Sequence, residues 1–576
     1  MPDRVPAQIY DQASLAGAIA GGTFGQFLRD AHLALEEPGW DVFVADAAAA
    51  HEAGTIDLLA AFTAMPAGRL AYAPQLLLEK IIPQLNIDFP PLVALYEALV
   101  ARTENDGSAY HLLTGIEGWA SQEPARPKAM IAAVTTGTAP PAMLRVALVT
   151  GLRSDRTHFL GSALDMAATG DPAIKDTAIQ VLGGFDGFTA PEFKRVVAVL
   201  EAALASATGA ASAAPLRSLL SIAKQASAND EVGVRALATI APRTDAAVRE
   251  TIANELMFAT TKVSLKLASA AFELLAATEA DEIGTLNLID HIVAQHLGGA
   301  LSVPAHRLLD GLLERRVATM KRFDETTHKL LTGDATARAA TIARWLTAEK
   351  LAMFLAVRDI CSGFGEDAPR FDLDLSMVDK QAAERITRRC SALLLVFPET
   401  IASILASLLL TGPLSAFPVI ERLLFDPLLI NYWTGPRTYL EGRVAGAPPP
   451  MAAALTRVFA RHDAYKAGIE AAKDIAELAP SQHHRFLVAT KKRDEQRAIG
   501  KAAQKHSIFA EIMPMSLMLY GDAAIYDVHI EPGKTVRTES QMQSQELFHE
   551  LPRVDVIDPF GSWYFREQLL RDERDE

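Results

Sequence analysis

Cysteine is scarce in this chain: 576 residues carry only Cys361 and Cys390. The disulfide framework of a secreted protein needs more, and two thiols fit a reducing compartment. A cytoplasmic protein is therefore expected. Aromatic residues are also few, at 7%, so the apolar mass is mostly Ala, Leu, Ile and Val. Basic residues are outnumbered, with 55 Lys and Arg against 70 Asp and Glu, a formal net charge of −15. That argues against wholesale coating of nucleic acid, which needs many cations beside phosphates, and leaves room for one local basic patch. No apolar run reaches the roughly 20 residues of a membrane span. The longest, Ser391 to Gly412, is broken by Pro398-Glu399 and reads as two buried helices. The N-terminus has no basic n-region, and Leu15 to Leu28 is broken by four glycines, so no signal peptide is expected.

Catalytic motifs are missing as well. G-x-S-x-G and H-E-x-x-H do not occur, and neither cysteine has a nucleophile setting. The EPGKT run at 531–535 lacks the glycine five residues before Gly533-Lys534 that a phosphate loop requires, because position 528 is Val. GAIAGGTFG, residues 17–25, lacks the preceding strand and the following acidic residue of a dinucleotide fold. Asp372 and Asp374, in FDLDLS, are spaced to chelate a cation from an extended backbone. The residues before them are not the buried strand of a phosphatase motif, so a solvent-facing loop is expected. His483-His484 and the pair His291 and His296 have no Cys or carboxylate at ligand spacing. No catalytic residue, cofactor or metal is assigned, and the chain reads as a non-enzyme.

What the sequence does contain is helix. Ala and Leu lose little rotamer freedom in a helix, and blocks of 10–20 residues at helical spacing alternate with Gly, Pro, Asp or Asn. LVALYEALV, residues 92–100, is a mostly buried helix entered through Pro90-Pro91. Arg156 to Ala168 is another, followed by Thr169-Gly170-Asp171-Pro172. Gly170 suits a left-handed position past a helix end, Asp171 an N-cap and Pro172 the first turn of the next helix. In that helix Ile174, Ala178, Ile179 and Leu182 share the core face, and Gly183-Gly184 ends it. Apolar–basic pairs at Leu144-Arg145, Ile174-Lys175, Val234-Arg235 and Leu265-Lys266 are separated by 30, 60 and 31 residues. A period near 30–45 with helix–turn–helix units marks an α-solenoid.

DPAIKDTAIQVLGGF, residues 171–185, resembles the second helix of a HEAT/armadillo-type repeat, with its Asp-Pro start, Ile-Lys pair and central Ala before Leu and Gly. NDEVGVRALATIA, residues 229–241, matches less well, because Gly233 sits inside it and Pro242 follows. The resemblance covers about 140–280 and implies a fold without implying a function. Later, Ser362 to Phe371 reads as a joint and Ala445 to Pro450 as a stiff linker. Tyr526, Val528 and Ile530 alternate with polar residues as in a half-buried strand. Pro532-Gly533 turns the chain, Thr535 to Thr538 returns antiparallel, and Arg553 to Ile557 is a further strand candidate. The expected class is mainly α, stacked helix pairs with a small strand-containing C-terminal module. The expected parts are an N-terminal helical region (1–139), HEAT-like repeats (140–365), a second helical region (366–509) and the α/β module (510–576).

One charge cluster runs against the acidic background. Residues 485–505 hold Arg485, Lys491, Lys492, Arg493, Arg497, Lys501 and Lys505 against Asp494 and Glu495. Arg493, Arg497, Lys501 and Lys505 are four apart, so on a helix they form a stripe that drifts about 40° per step. They are the candidate binding residues, facing an acidic protein surface or nucleic-acid phosphates. No aromatic interleaves with the stripe, which disfavours single-stranded nucleic acid. The expected role is a protein–protein interaction scaffold, with no membrane partner. The alternatives are a nucleic-acid-binding helical-repeat protein using this stripe, and an enzyme whose site is assembled from distant positions.

Overall fold

The computed structural model describes residues 10–35, 37–65, 72–103, 110–258, 263–362, 369–505, 518–520, 523–531, 534–541 and 552–570. Its contacts fall into two units, Met1–Leu312 and Leu313–Glu576. Unit one begins with α1 (Gln12–Ala20), α2 (Phe24–Ala34), α3 (Glu37–Glu52), α4 (Leu58–Ala64), α5 (Tyr72–Ile81) and α6 (Phe89–Thr103). It continues with α7 (Tyr110–Ser121), α8 (Ala125–Thr135), α9 (Ala142–Ser154), α10 (Arg156–Thr169), α11 (Pro172–Gly184) and α12 (Ala190–Ser206). The rest is α13 (Ala213–Gln225), α14 (Asp230–Ile240), α15 (Ala246–Met257), α16 (Leu265–Leu275), α17 (Ile283–His296) and α18 (Ser302–Glu314), whose last two residues belong to unit two. Aspartates start many of the helices. Asp57 accepts the Ala60 N–H at 3.0 Å and Asp245 the Val248 N–H at 2.9 Å, each satisfying a donor that the first turn leaves free.

From α9 to α16 each helix packs on a sequence neighbour and on a helix two places away. The odd helices α7, α9, α11, α13, α15 and α17 form one layer, and α10, α12, α14 and α16 form the other. This is a helical solenoid, in which each pair buries its apolar stripe only by stacking on the next. In α11, Ala178, Ile179 and Leu182 are buried as expected, while Ile174 is half-buried.

Side-chain pairs report the repeat length directly. The ion pairs Asp41–Lys80, Glu117–Arg153, Glu201–Arg235, Lys224–Glu255, Glu231–Lys266 and Arg249–Glu282, and the hydrogen-bonded pair Glu79–His111, join residues 31 to 39 apart. Two helices and their turns amount to that many residues, so each pair bridges equivalent points on adjacent repeats. The period read from the apolar–basic pairs is therefore right and the phase is not. Arg145 and Lys175 lie in the odd layer, whereas Arg235 and Lys266 lie in the even one.

Glycines allow close stacking at several positions, Gly183 and Gly233 among them. A Cβ on Gly183 would lie 2.5 Å from the Ser218 Cα, and one on Gly233 would lie 2.8 Å from the Ala223 Cβ. Both sit where one helix backbone presses on its neighbour, which explains a glycine inside the helix of 229–241. Gly170 departs from its expected role. Its φ and ψ are −68° and 161°, an extended conformation. What demands glycine there is the Met166 carbonyl, 2.6 Å from where a Cβ would be. Asp171 holds the N-cap position without a side-chain hydrogen bond.

Unit two contains α19 (Asp324–Thr332), α20 (Ala335–Thr347), α21 (Leu351–Ser362), α22 (Lys380–Leu393), α23 (Pro398–Thr411), α24 (Phe417–Leu423), α25 (Gly435–Val444) and α26 (Pro449–Ala472). After these come α27 (Gln482–Lys505), strands β1 (Met518–Tyr520), β2 (Ala523–Glu531) and β3 (Lys534–Gln541), α28 (Arg553–Ile557) and α29 (Pro559–Leu570). The same alternation recurs, with α20, α22, α24 and α26 in one row and α23 on α25. The ion pairs Glu314–Lys350 and Glu421–Arg457 each span 36 residues. The apolar run 391–412 is the end of α22 and the whole of α23, turned at Pro398. No described helix is long and apolar enough to cross a membrane.

Several boundary readings need correction. The prolines at 448–450 are not a linker, because Pro449 and Pro450 open the 24-residue α26, where a missing N–H costs nothing. Of the expected joint, 363–368 lie outside the described residues. The stretch 371–375 is a docked extended segment. Its N–H groups at Phe371, Leu373 and Leu375 donate to Ser403, Ser407 and Thr411, one helical turn apart on α23. Phe371, Leu373 and Leu375 are buried and Asp372 and Asp374 exposed, so only the aspartates face solvent.

β1, β2 and β3 form an antiparallel meander, with Val528 opposite Val536. Pro532 and Gly533 lie outside the described residues. Arg553–Ile557 is helix rather than strand. It returns to the helical body of unit two, where the Val554 N–H donates to Asn431 Oδ1 at 2.8 Å and α29 packs on α22.

Candidate functional site

α27 carries the charge cluster. Burial ends at Tyr465 of α26, and from Lys466 to Ala502 the described side chains are exposed apart from half-buried Ala472 and Thr490. Arg493, Arg497 and Lys501 all lie in this exposed stretch, on one continuous helix. Lys505 is its last residue, and its side chain lies outside the described residues. The opposing acids lean on the stripe only lightly: Lys491–Glu495 at 3.8 Å and Arg497–Asp494 at 4.0 Å. Exposed pairs at that distance are screened and weak. Phe486, Leu487 and Val488 are exposed on the first turns of the same helix.

The aspartate pair in 371–375 is not brought together as a cation site. Asp372 pairs with Arg443, and Asp374 accepts the Ser376 N–H at 3.0 Å, which holds its carboxyl below the usual range. Arg443 and Arg370 flank the Tyr439 ring, 5.1 and 5.4 Å from its centroid. Arg370 is paired with Glu399. The charges along this edge of unit two are satisfied by one another. Among the described residues no group of three His, Cys, Asp or Glu is placed to hold a metal ion. His483 and His484 are both exposed on α27, and His291 and His296 are half-buried in α17. The glycines at 17–25 form a helix–turn–helix, with Gly22 at φ +71° in the turn.

Sequence reasoning missed one site. A cavity of about 410 Å³ opens in the odd layer of unit one, lined by Glu117, Arg145, Arg153, Asp186, Arg217 and Glu255 among others. Its walls come from α7, α9, α11, α13 and α15. Glu117 is taken by Arg153, and Glu255 by Lys224 at 2.5 Å and Arg217 at 3.6 Å. Residues up to 138 positions apart (255 − 117) meet there only through stacking, so no local spacing could have signalled it.

No protein-family model matches this chain, and no curated protein does. Among solved structures it is similar to a karyopherin, Kap121p, bound to the extreme C-terminus of the protein phosphatase Cdc14p. The identity is 13%, with 89% of this chain and 61% of the karyopherin covered, at a TM-score of 0.30. The chain thus spans about three-fifths of that protein's length. A likeness this distant carries no argument about function, and the solenoid assignment rests on the helix layers and ion pairs above.

Proposed function

We propose that this chain is a helical-repeat scaffold, HEAT-like over about 140–280, that binds protein partners inside the cell. Its basic helix α27 engages an acidic protein surface through Arg493, Arg497, Lys501 and Lys505. The supporting observation is the exposure of α27 over its described length. A helix whose described side chains are nearly all exposed gains little from its own propensity. Seven cations on it, in a chain of net charge −15, complement a negative surface.

The test is retention of native partners by the full chain at rising salt, with and without nuclease, for wild type and the Arg497→Glu, Lys501→Glu double variant. Screening acts over about 8–10 Å at physiological ionic strength, so retention falls with salt and falls further in the variant. Exposed substitutions change stability by less than about 0.5 kcal/mol, so folding is unaffected. Retention unchanged in the variant sinks the role of the stripe. Retention abolished by nuclease moves the assignment to nucleic acid.

A further inference from the structure

We propose that the odd-layer cavity of unit one is a second binding site, which takes an extended peptide carrying both an acidic and a basic side chain. Three observations converge. First, helices in one layer pack about 8–10 Å apart, so a cavity walled by α7, α9, α11, α13 and α15 is elongated across the repeats. An extended chain fits such a slot better than a compact molecule does. Its volume of about 410 Å³ falls in the range of about 300–1,000 Å³ of ligand sites.

Second, the ionisable lining divides into used and unused groups. Glu117, Arg153, Arg217 and Glu255 are engaged in the ion pairs that tie the repeats together. Arg145 and Asp186, both exposed, have no ion-pair partner among the described residues. One guanidinium and one carboxylate remain, and they call for a ligand carboxylate and a ligand cation. The planar guanidinium of Arg145 suits two parallel hydrogen bonds to a carboxylate. In an extended segment side chains alternate sides, so the acid and the base that both reach the slot stand an even number of positions apart.

Third, the slot is left open by glycine. Gly184 lines it at the end of α11, and a Cβ there would meet nothing within 4 Å. Its neighbour Gly183 is wedged against Ser218, so the helix–helix contact accounts for Gly183 and not for Gly184. A side chain at 184 would occupy the slot without touching the fold. Gln180 and Ser221, also in the lining, supply hydrogen-bonding groups for a peptide backbone.

The experiment is selection of a random twelve-residue phage-displayed library on the full chain, followed by fluorescence anisotropy with the enriched peptides. The expected winners carry an acid and a base at an even spacing. Their affinity falls at least tenfold in Gly184→Leu and in Arg145→Glu, and is unchanged in Arg497→Glu, Lys501→Glu. That last control separates this site from the α27 reading, since each can fail alone. Circular dichroism confirms that both slot variants fold, and Arg145→Glu, at an exposed position, serves if Gly184→Leu does not. Enrichment of peptides of one charge sign only, binding that survives both slot variants, or no enrichment at all overturns the proposal.

Discussion

Replacing Gly183 by Ala tests the stacking where it is tightest. A glycine inside a helix costs about 0.5–1 kcal/mol relative to Ala, so on propensity alone the change stabilises. The structure reverses the sign. The new Cβ would lie 2.3 Å from the Ser218 Cβ and 2.5 Å from its Cα, where carbon atoms prefer about 3.5–4.0 Å. The Cα is backbone and cannot rotate away, so α13 must retreat from α11 by about 1 Å. Such overpacking costs about 1–3 kcal/mol. The buried hydrogen bond from Ser218 Oγ to the Ile179 carbonyl, 2.9 Å long, stretches with it, a further loss of about 1 kcal/mol. The net expectation is a destabilisation of about 1–3 kcal/mol. Gly184→Ala is the control: nothing lies within 4 Å, so it is neutral or stabilises by up to about 1 kcal/mol. Hydrogen exchange of amides in 172–225 reads the result locally, with faster exchange in Gly183→Ala and not in Gly184→Ala. If both variants slow exchange alike, α11 and α13 do not touch as described.

Other expectations follow from burial. Cys361 and Cys390 are unpaired and fully buried, and burial pushes the Cys361 thiol up to about 12 and Cys390 higher still. A thiol reagent at pH 8 should therefore label neither until denaturant is added, and rapid native labelling would contradict this. His462 is buried in α26, and its Nδ1 accepts from Arg437 at 3.0 Å. Burial, and then Arg437 and Lys466, hold its pKa below the ordinary 6.5, against the opposing pull of Asp463 and Glu441. The unfolded chain then binds the proton more readily, so its stability contribution is complete above pH 6.5 and is lost as pH falls below 6.5. Urea midpoints at pH 7.5 and 5.5 should differ less in His462→Asn than in wild type, and an equal drop in both would remove His462 from the cause.

Features set by neighbouring residues were legible in the sequence, and features set by stacking were not. Asp171-Pro172 announced a helix start because an N-terminal proline acts within one turn, although Asp171 makes no side-chain cap. The i, i+4 run from Arg493 to Lys505 announced a basic helix for the same reason. The prolines at 448–450 misled, since a proline run serves equally in a linker and in a first helical turn. FDLDLS was expected to be a solvent-facing loop because the Ser403, Ser407 and Thr411 hydroxyls that dock Phe371, Leu373 and Leu375 lie more than 30 residues away. Arg145 and Asp186 were not legible as a site at all. Their relation is fixed by how α9 packs on α11 and where the chain leaves α11, and Gly183, which sets the approach of α11 to α13, looks in sequence like an ordinary helix end.

The central claim is that equivalent residues of adjacent repeats touch about 31–39 positions apart. A zero-length carbodiimide cross-linker reports this most directly, because it joins a lysine amine only to a carboxylate already in contact. Digestion and mass spectrometry should recover Lys80–Asp41 (2.6 Å), Lys224–Glu255 (2.5 Å), Lys350–Glu314 (2.8 Å) and Lys266–Glu231 as major long-range products. Their separations are 39, 31, 36 and 35 residues. Long-range links scattered over all separations, with these four absent, would contradict the solenoid account.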